Sequence, residues 1–416
     1  MSILTRARTI RGEYPAQFWT IFFGSLINAV GNGLVFPFFS LYFTKQLGYS
    51  LTEVGLIFTL YAIVSMLAQV LGGELVDRVG RKPVMVFSLF GGAASNLAFG
   101  LATTSDLGNS LAYLLAVTVF AGLTGSVFGP AVNAMVADLI PTEQRTQAYG
   151  LLRVVSNLGV AVGPAIGGFI AAQSYLALFG IATLTTAAYG VIVVVFARET
   201  KPVLRPAPDA PKAPAASLRS VLADRTFMLF CGLYMLALIP WSQMTTTLPV
   251  YLNSNFGVTE QWYGLLMSLN ATMVVLFQFP ITRFTHRYPR ATMMALGVAL
   301  FGAGMGLYAV AGALPLFFLA QATWTLGEMV AVPVSQAFVA DVAPAAMRGR
   351  YMGVYGLVWT MAFGIGPLLG GVLIDTYDDR VVWYAGVAVA MLAALGFLAL
   401  GRRMRRAVVA AGATAK

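Results

Sequence analysis

Cysteine and histidine each occur once in 416 residues, as Cys231 and His286. That scarcity excludes a disulfide framework and leaves too few ligands for a His/Cys metal site, so no metal is expected. Charge is also thin. Only 10% of residues are Asp, Glu, Lys or Arg, against about a quarter in a soluble domain. No lysine follows a glycine, so the phosphate-binding loop that drives ATP hydrolysis is missing. No nucleophile–base pair stands out either, and an enzyme is not expected.

Hydrophobicity is abundant instead: 58% of residues are apolar and mean hydropathy is +0.79. About 20 consecutive apolar residues cross a bilayer as a helix, the only open-chain element that satisfies its own backbone in lipid. Twelve such runs are predicted, at 17–43, 52–75, 84–104, 111–139, 146–171, 174–197, 226–252, 260–282, 291–311, 314–340, 349–374 and 380–401. The expected fold is an all-α membrane protein of twelve helices in two pseudo-symmetric six-helix halves. Its divisions are a first half over 1–198, a linker over 199–225, a second half over 226–403 and a tail over 404–416.

The net charge of +10 is topogenic rather than a sign of nucleic acid. Lysines and arginines gather before the first run and in alternate loops. Only Lys45 and Arg380 fall on the opposite side, and Arg153 falls within a run. By the positive-inside rule both termini face the cytoplasm of a bacterial-type plasma membrane. The first run has no small-residue cleavage site after it and is expected to stay as an anchor.

The chain also repeats itself. Asp138, Pro141, Arg145, Gly150, Gly163, Pro164, Gly167 and Gly168 recur in order as Asp341, Pro344, Arg348, Gly353, Gly366, Pro367, Gly370 and Gly371. Residues 41–56 match 250–265, pairing Gly48 with Gly257 and Gly55 with Gly264. A duplicated membrane bundle is the architecture of secondary transporters, which bind cargo where the repeats meet.

The loop between the second and third runs reads GGELVDRVGRKPV. Here the chain resembles the major facilitator superfamily, with Gly73, Asp77, Arg78, Gly80, Arg81 and Lys82 in the positions of that family's gating signature. The resemblance implies an inner latch that Asp138 and Arg145 join. A carboxylate such as Asp77 can also sit at the positive N-terminus of a neighbouring helix, and Gly73 is expected to permit close contact. GVAVGPAIGG fits the family's antiporter signature through Gly159, Gly163, Pro164, Gly167 and Gly168. The corresponding second loop, TRFTHRYPR, has lost the acid and glycine, so the latch is expected to be one-sided and His286 a bystander.

Glu328 is the residue expected to carry the chemistry. It lies about 20 Å along its helix from Asp341, where a charge costs at least about 2.5–3.5 kcal/mol. It must therefore be protonated, paired or in water. Gln321, Trp324 and Thr325 share its helical face. The stretch WTLGEMVAVPVSQAFVADV is similar to LmrP-type multidrug/proton antiporters, and that resemblance implies a role in proton coupling and in binding lipophilic cations. Asn28, Asn32, Asn157, Trp241 and Gln243 are the other candidate cavity residues.

Arg153 is either structural, snorkelling to the inner surface or paired with Glu74 or Asp138, or cavity-facing and favourable to anionic or zwitterionic cargo. Where proton-linked members often carry an arginine, four residues before Gly125, the chain has Ala121. The expected function is proton-coupled efflux of lipophilic cations by a monomer. No cofactor is expected; the proton gradient supplies the energy, and the partners are a small molecule, protons and the bilayer. The alternative is a carrier of one metabolite, such as a sugar, an organic acid or a lysolipid.

Overall fold

The computed structural model describes residues 13–141, 144–201, 218–344 and 347–414. Most of the expected linker and the N-terminal arginines lie outside these. Among the described residues there is no strand, and twelve helices are long and apolar enough to cross a membrane. They are α1 (Ala16–Gln46), α2 (Leu51–Val79), α3 (Arg81–Leu101), α4 (Leu111–Leu139), α5 (Arg145–Ala171) and α6 (Tyr175–Phe196). The second set is α7 (Arg225–Thr246), α8 (Glu260–Thr285), α9 (Arg290–Val310), α10 (Leu314–Val342), α11 (Arg348–Thr376) and α12 (Val381–Thr414). A short helix, Leu218–Leu222, precedes α7.

Local chemistry starts and stops these helices. Ser110 and Ser174 accept from backbone N–H groups at the starts of α4 and α6, and Asp224 caps α7 through the N–H groups of Thr226 and Phe227. Ser50 and Glu53 form a reciprocal capping box at α2. Gly48 and Gly257, paired by the repeat, both take positive φ, +77° and +63°, beyond the ends of α1 and of the helical stretch Leu248–Phe256 that follows α7. Prolines mark the breaks: α1 passes through a 3₁₀ turn containing Pro37, and the stretch after α7 has Pro249 in its first turn.

The chain divides into two compact units, and the helices α2 and α8 are shared between them. One unit comprises Met1–Gly48, Leu60–Ala207 and Thr259–Leu265; the other comprises Tyr49–Thr59, Pro208–Val258 and Leu266–Lys416. In the first unit α1 packs on α5 and α6, and α3 on α4 and α6. In the second, α7 packs on α11 and α12, and α9 on α10 and α12. The duplication read in the letters is thus repeated in the packing.

Small residues make the tightest of these pairings. A Cβ on Gly163 would lie 2.4 Å from the carbonyl carbon of Gly33, and one on Gly159 would lie 2.5 Å from the Ala29 carbonyl. Backbone cannot yield as a side chain can, so α1 and α5 approach this closely only without Cβ atoms. Pro164 sits inside the same helix, and the second copy repeats the device where Gly366 and Gly370 face Ser242 and Gln243 of α7.

Gly163→Ala is therefore expected to destabilise the detergent-solubilised protein by about 1–3 kcal/mol, seen as a lowered thermal midpoint. Gly150, with nothing within 4 Å of a Cβ, is the control. Gly150→Ala is expected to be neutral or stabilising by up to about 1 kcal/mol.

Candidate functional site

The mid-membrane carboxyl has a partner that the sequence reading missed. Asn270 of α8 donates from Nδ2 to Glu328 Oε2 at 2.7 Å, and its Nδ2 also lies 3.0 Å from Thr325 Oγ1. Thr325 is fully buried and donates to the Gln321 carbonyl one turn back. Gln321 in turn accepts from the Tyr308 hydroxyl at 2.7 Å. Glu328 itself is only half-buried, and among the described residues it forms no ion pair. An amide donor of this kind can serve a carboxylate or the carbonyl oxygen of a protonated carboxyl. A lysine or arginine there would instead hold the group charged. The arrangement positions Glu328 without fixing its proton.

Aromatic rings surround the next turn. Trp324 stacks on Trp241 of α7 with centroids 5.6 Å apart, and Trp241 meets Trp359 edge-on at 5.1 Å and Phe363 at 5.0 Å. The indole N–H groups of Trp241 and Trp324 and the Nε2 of Gln321 have no hydrogen-bond partner among the described residues. Each is a buried donor that a cargo acceptor could satisfy. Gln243 is different. Its amide donates to the Gly366 carbonyl at 2.7 Å, so it is committed to holding α7 against α11 rather than free to line a cavity.

In the first unit Arg153 and Asn157 lie one turn apart on the same exposed face of α5. Neither acid considered for Arg153 is available: Glu74 pairs with Arg78, and Asp138 with Arg81. Among the described residues Arg153 forms no ion pair, so the pairing with Glu74 or Asp138 is not found. Asn32 is exposed on α1, while Asn28 accepts from the Thr186 hydroxyl at 3.1 Å.

The signature loop centres on Arg81, which is buried. Its Nε donates to Asp138 Oδ2 at 2.8 Å and its Nη1 to the Val76 carbonyl at 3.2 Å. Arg145 closes the end of α4 by donating to the carbonyls of Ala137 and Ile140. Lys82 donates to the Val194 carbonyl at 2.8 Å. Two expectations change here. Gly73 faces open space, and it is Gly72 that allows close contact, with Val127. Asp77 is largely exposed; among the described residues it pairs with Arg81 at 3.5 Å and accepts no backbone N–H.

The carboxylate at the N-terminus of α3 is Glu199, just past α6. It accepts the N–H groups of Arg81, Lys82, Thr200 and Lys201, and Gly80 adopts φ +121° where a Cβ would strike it. Partial burial alone would raise the Glu199 pKa, but the four N–H donors outweigh it and the pKa is lowered. The second copy keeps a matching ion pair, Arg290 Nε to Asp341 Oδ2 at 3.2 Å, although its loop lost the signature acid. The latch chemistry is therefore less one-sided than the letters suggest.

The Major Facilitator Superfamily profile matches residues 21–259 and 233–415. The chain belongs to the Major Facilitator Superfamily. It is a transporter of small molecules, not an enzyme, and such transporters use no cofactor. It is 27% identical to a Na⁺, Li⁺, K⁺/H⁺ antiporter of Planococcus maritimus, over 80% of this chain and 84% of the relative. It is 28% identical to the multidrug resistance protein MdtH of Aeromonas hydrophila, over 86% and 87%. The crystal structure of the nucleoside transporter NupG superposes with a TM-score of 0.75 at 15% identity, covering 93% of this chain and 99% of that one. That likeness shows the superfamily fold alone.

Because the folded pKa of Glu199 is lowered, the stability it adds is present above its unfolded value of about 4.3 and lost as pH falls through the folded one. Glu199→Gln is expected to lower the thermal midpoint at pH 7 by a few degrees. The gap to wild type should narrow as pH falls below that unfolded value and close below the folded one, and a gap independent of pH would contradict the assignment.

Proposed function

We propose that the protein exports lipophilic cations in exchange for protons, with Glu328 carrying either the proton or the cargo charge. The observation that supports this most directly is the Asn270–Glu328 pair. It is a carboxyl in the middle of a membrane helix, held by a neutral donor and free of any cationic partner among the described residues. Such a group is costly to keep for packing alone. The Trp241–Trp324 stack one turn away supplies flat apolar area and cation–π faces for a delocalised cation.

In this reading protonation from outside neutralises Glu328 and releases the cargo, and proton loss to the inside restores the binding charge. Asn270 keeps the carboxyl oriented through both states. Orientation in a bacterial plasma membrane with both termini cytoplasmic belongs to the same proposal and rests on the basic loops. The relatives named for multidrug resistance and for cation/proton antiport are compatible with it.

A second reading, a carrier of one anionic or zwitterionic metabolite, draws on a specific observation: Arg153 and Asn157 share an exposed face, and Arg153 forms no ion pair among the described residues. The two separate in everted membrane vesicles. With an imposed pH gradient, Glu328→Gln is expected to lose uptake of lipophilic cations about tenfold or more and to lose its pH dependence, while Arg153→Gln keeps both. Unchanged cation uptake in Glu328→Gln, together with loss in Arg153→Gln, would support the metabolite carrier instead.

A further inference from the structure

The two copies of the GPxxGG stretch do the same packing job but are closed by different chemistry. In the first copy, a Cβ on Gly168 would lie 2.5 Å from the Glu260 carbonyl oxygen, and one on Gly264 would lie 2.4 Å from the Pro164 carbonyl oxygen. The end of α5 and the first turns of α8 are thus in backbone contact. In the second copy, a Cβ on Gly371 would strike the Leu51 carbonyl and one on Gly55 would strike Leu368 Cα, so α11 and the first turns of α2 repeat that contact. At α2 the junction is held by hydrogen bonds, from Thr52 N–H to Asp375 Oδ2 at 2.7 Å and from Thr59 Oγ1 to the Gly364 carbonyl at 2.7 Å. Asp375 is exposed.

The α8 junction carries an ion pair instead. Lys45 Nζ, on the last turn of α1, lies 2.7 Å from Glu260 Oε1, and the Tyr175 hydroxyl donates to the same oxygen at 3.4 Å. Burial of the two partners is unequal: the Glu260 side chain is 4% exposed and that of Lys45 is 49% exposed. Glu260 opens α8, where the helix dipole also favours its charge. A cavity of about 360 Å³ lined by Lys45, Gln46, Thr103, Thr104, Gln173 and Glu260 lies beside the pair.

We infer that Lys45 and Glu260 are a charge latch that holds the first turns of α8 against α1 and α5, and that the transport cycle must open it. The inference rests on this chain being a transporter, not on what it carries. The physics is a near balance. Burying a carboxylate costs several kcal/mol, and the partner's charge repays that cost only while the contact lasts. When the start of α8 leaves, Glu260 regains water, so closed and open arrangements lie close in energy. On the orientation expected from the basic loops, the latch sits at the outer end, where Lys45 is otherwise an exception to the charge bias.

The unequal burial makes an asymmetric prediction. Lys45→Gln strands a buried carboxylate in the closed arrangement, whereas Glu260→Gln frees a lysine that already reaches water. Spin labels at Gln173→Cys and Tyr377→Cys, both exposed, in a Cys231→Ala background report the outer-end distance in nanodiscs. Lys45→Gln is expected to raise the ratio of long to short distances about tenfold or more, and Glu260→Gln less than about threefold. Lys45→Gln/Glu260→Gln and Lys45→Arg should each stay within about threefold of the parent. The inference is overturned if Lys45→Gln leaves the distribution unchanged. It is equally overturned if Lys45→Arg shifts it as far as Lys45→Gln does, or if the double variant shifts it further than Lys45→Gln alone.

Discussion

A polar group inside the hydrocarbon layer has no water to turn to, and every such group must be matched by the protein itself. This constraint explains the helices, and it explains where their side chains go. Gln243 meets a carbonyl in a proline-containing stretch of α11, Thr325 bonds back to its own helix, and Asn28 is met by Thr186. Beside the unmatched indole N–H groups of Trp241 and Trp324 and the unmatched Gln321 amide, Glu328 leaves its charge unanswered. One of its oxygens has an amide donor, and none of the described cations answers its charge. In the proposed exchange, a group left partly matched at that depth is where cargo and proton bind.

Duplication supplies the frame and local divergence supplies the chemistry. Pairings of α1 with α5 and of α7 with α11 use equivalent glycines, and Arg81–Asp138 has its counterpart in Arg290–Asp341. The copies part at the charged positions. Glu199 caps α3, while the N-cap of α9 is Pro289, with no side-chain acceptor. Among the described residues, only the second copy places a carboxyl midway along a membrane helix. In the proposed account, asymmetry laid over a symmetric frame lets one helix bundle bind, couple and latch with different residues at each place.

The spans, the doubling and Glu328 were legible because each leaves a local mark: a long apolar run, a recurring Gly–Pro string, an acid where acids are costly. Asn270 left none, since one asparagine in an apolar helix looks like any other until α8 is set beside α10. Glu199 and Glu260 left no mark for the same reason. Adjacent glycines defeated the reading of the loop: Gly72 and Gly73 point about 100° apart around α2, and only the packing tells which one meets a neighbour. Arg153 was assigned partners by reach, but Glu74 and Asp138 are held by Arg78 and Arg81.

The proposed exchange makes Glu328 the place where a proton and a cation compete, and linkage then requires each to displace the other. The most direct measurement adds a lipophilic cation to the purified transporter in weakly buffered detergent near neutral pH and follows released protons with an indicator dye. The account predicts release of about one proton per cation bound, with proton concentration weakening cation affinity in the same proportion. Saturating cation binding with no proton released at any pH between 5 and 8 would contradict it, because the carboxyl would then bind cargo without ever having held the proton it is proposed to exchange.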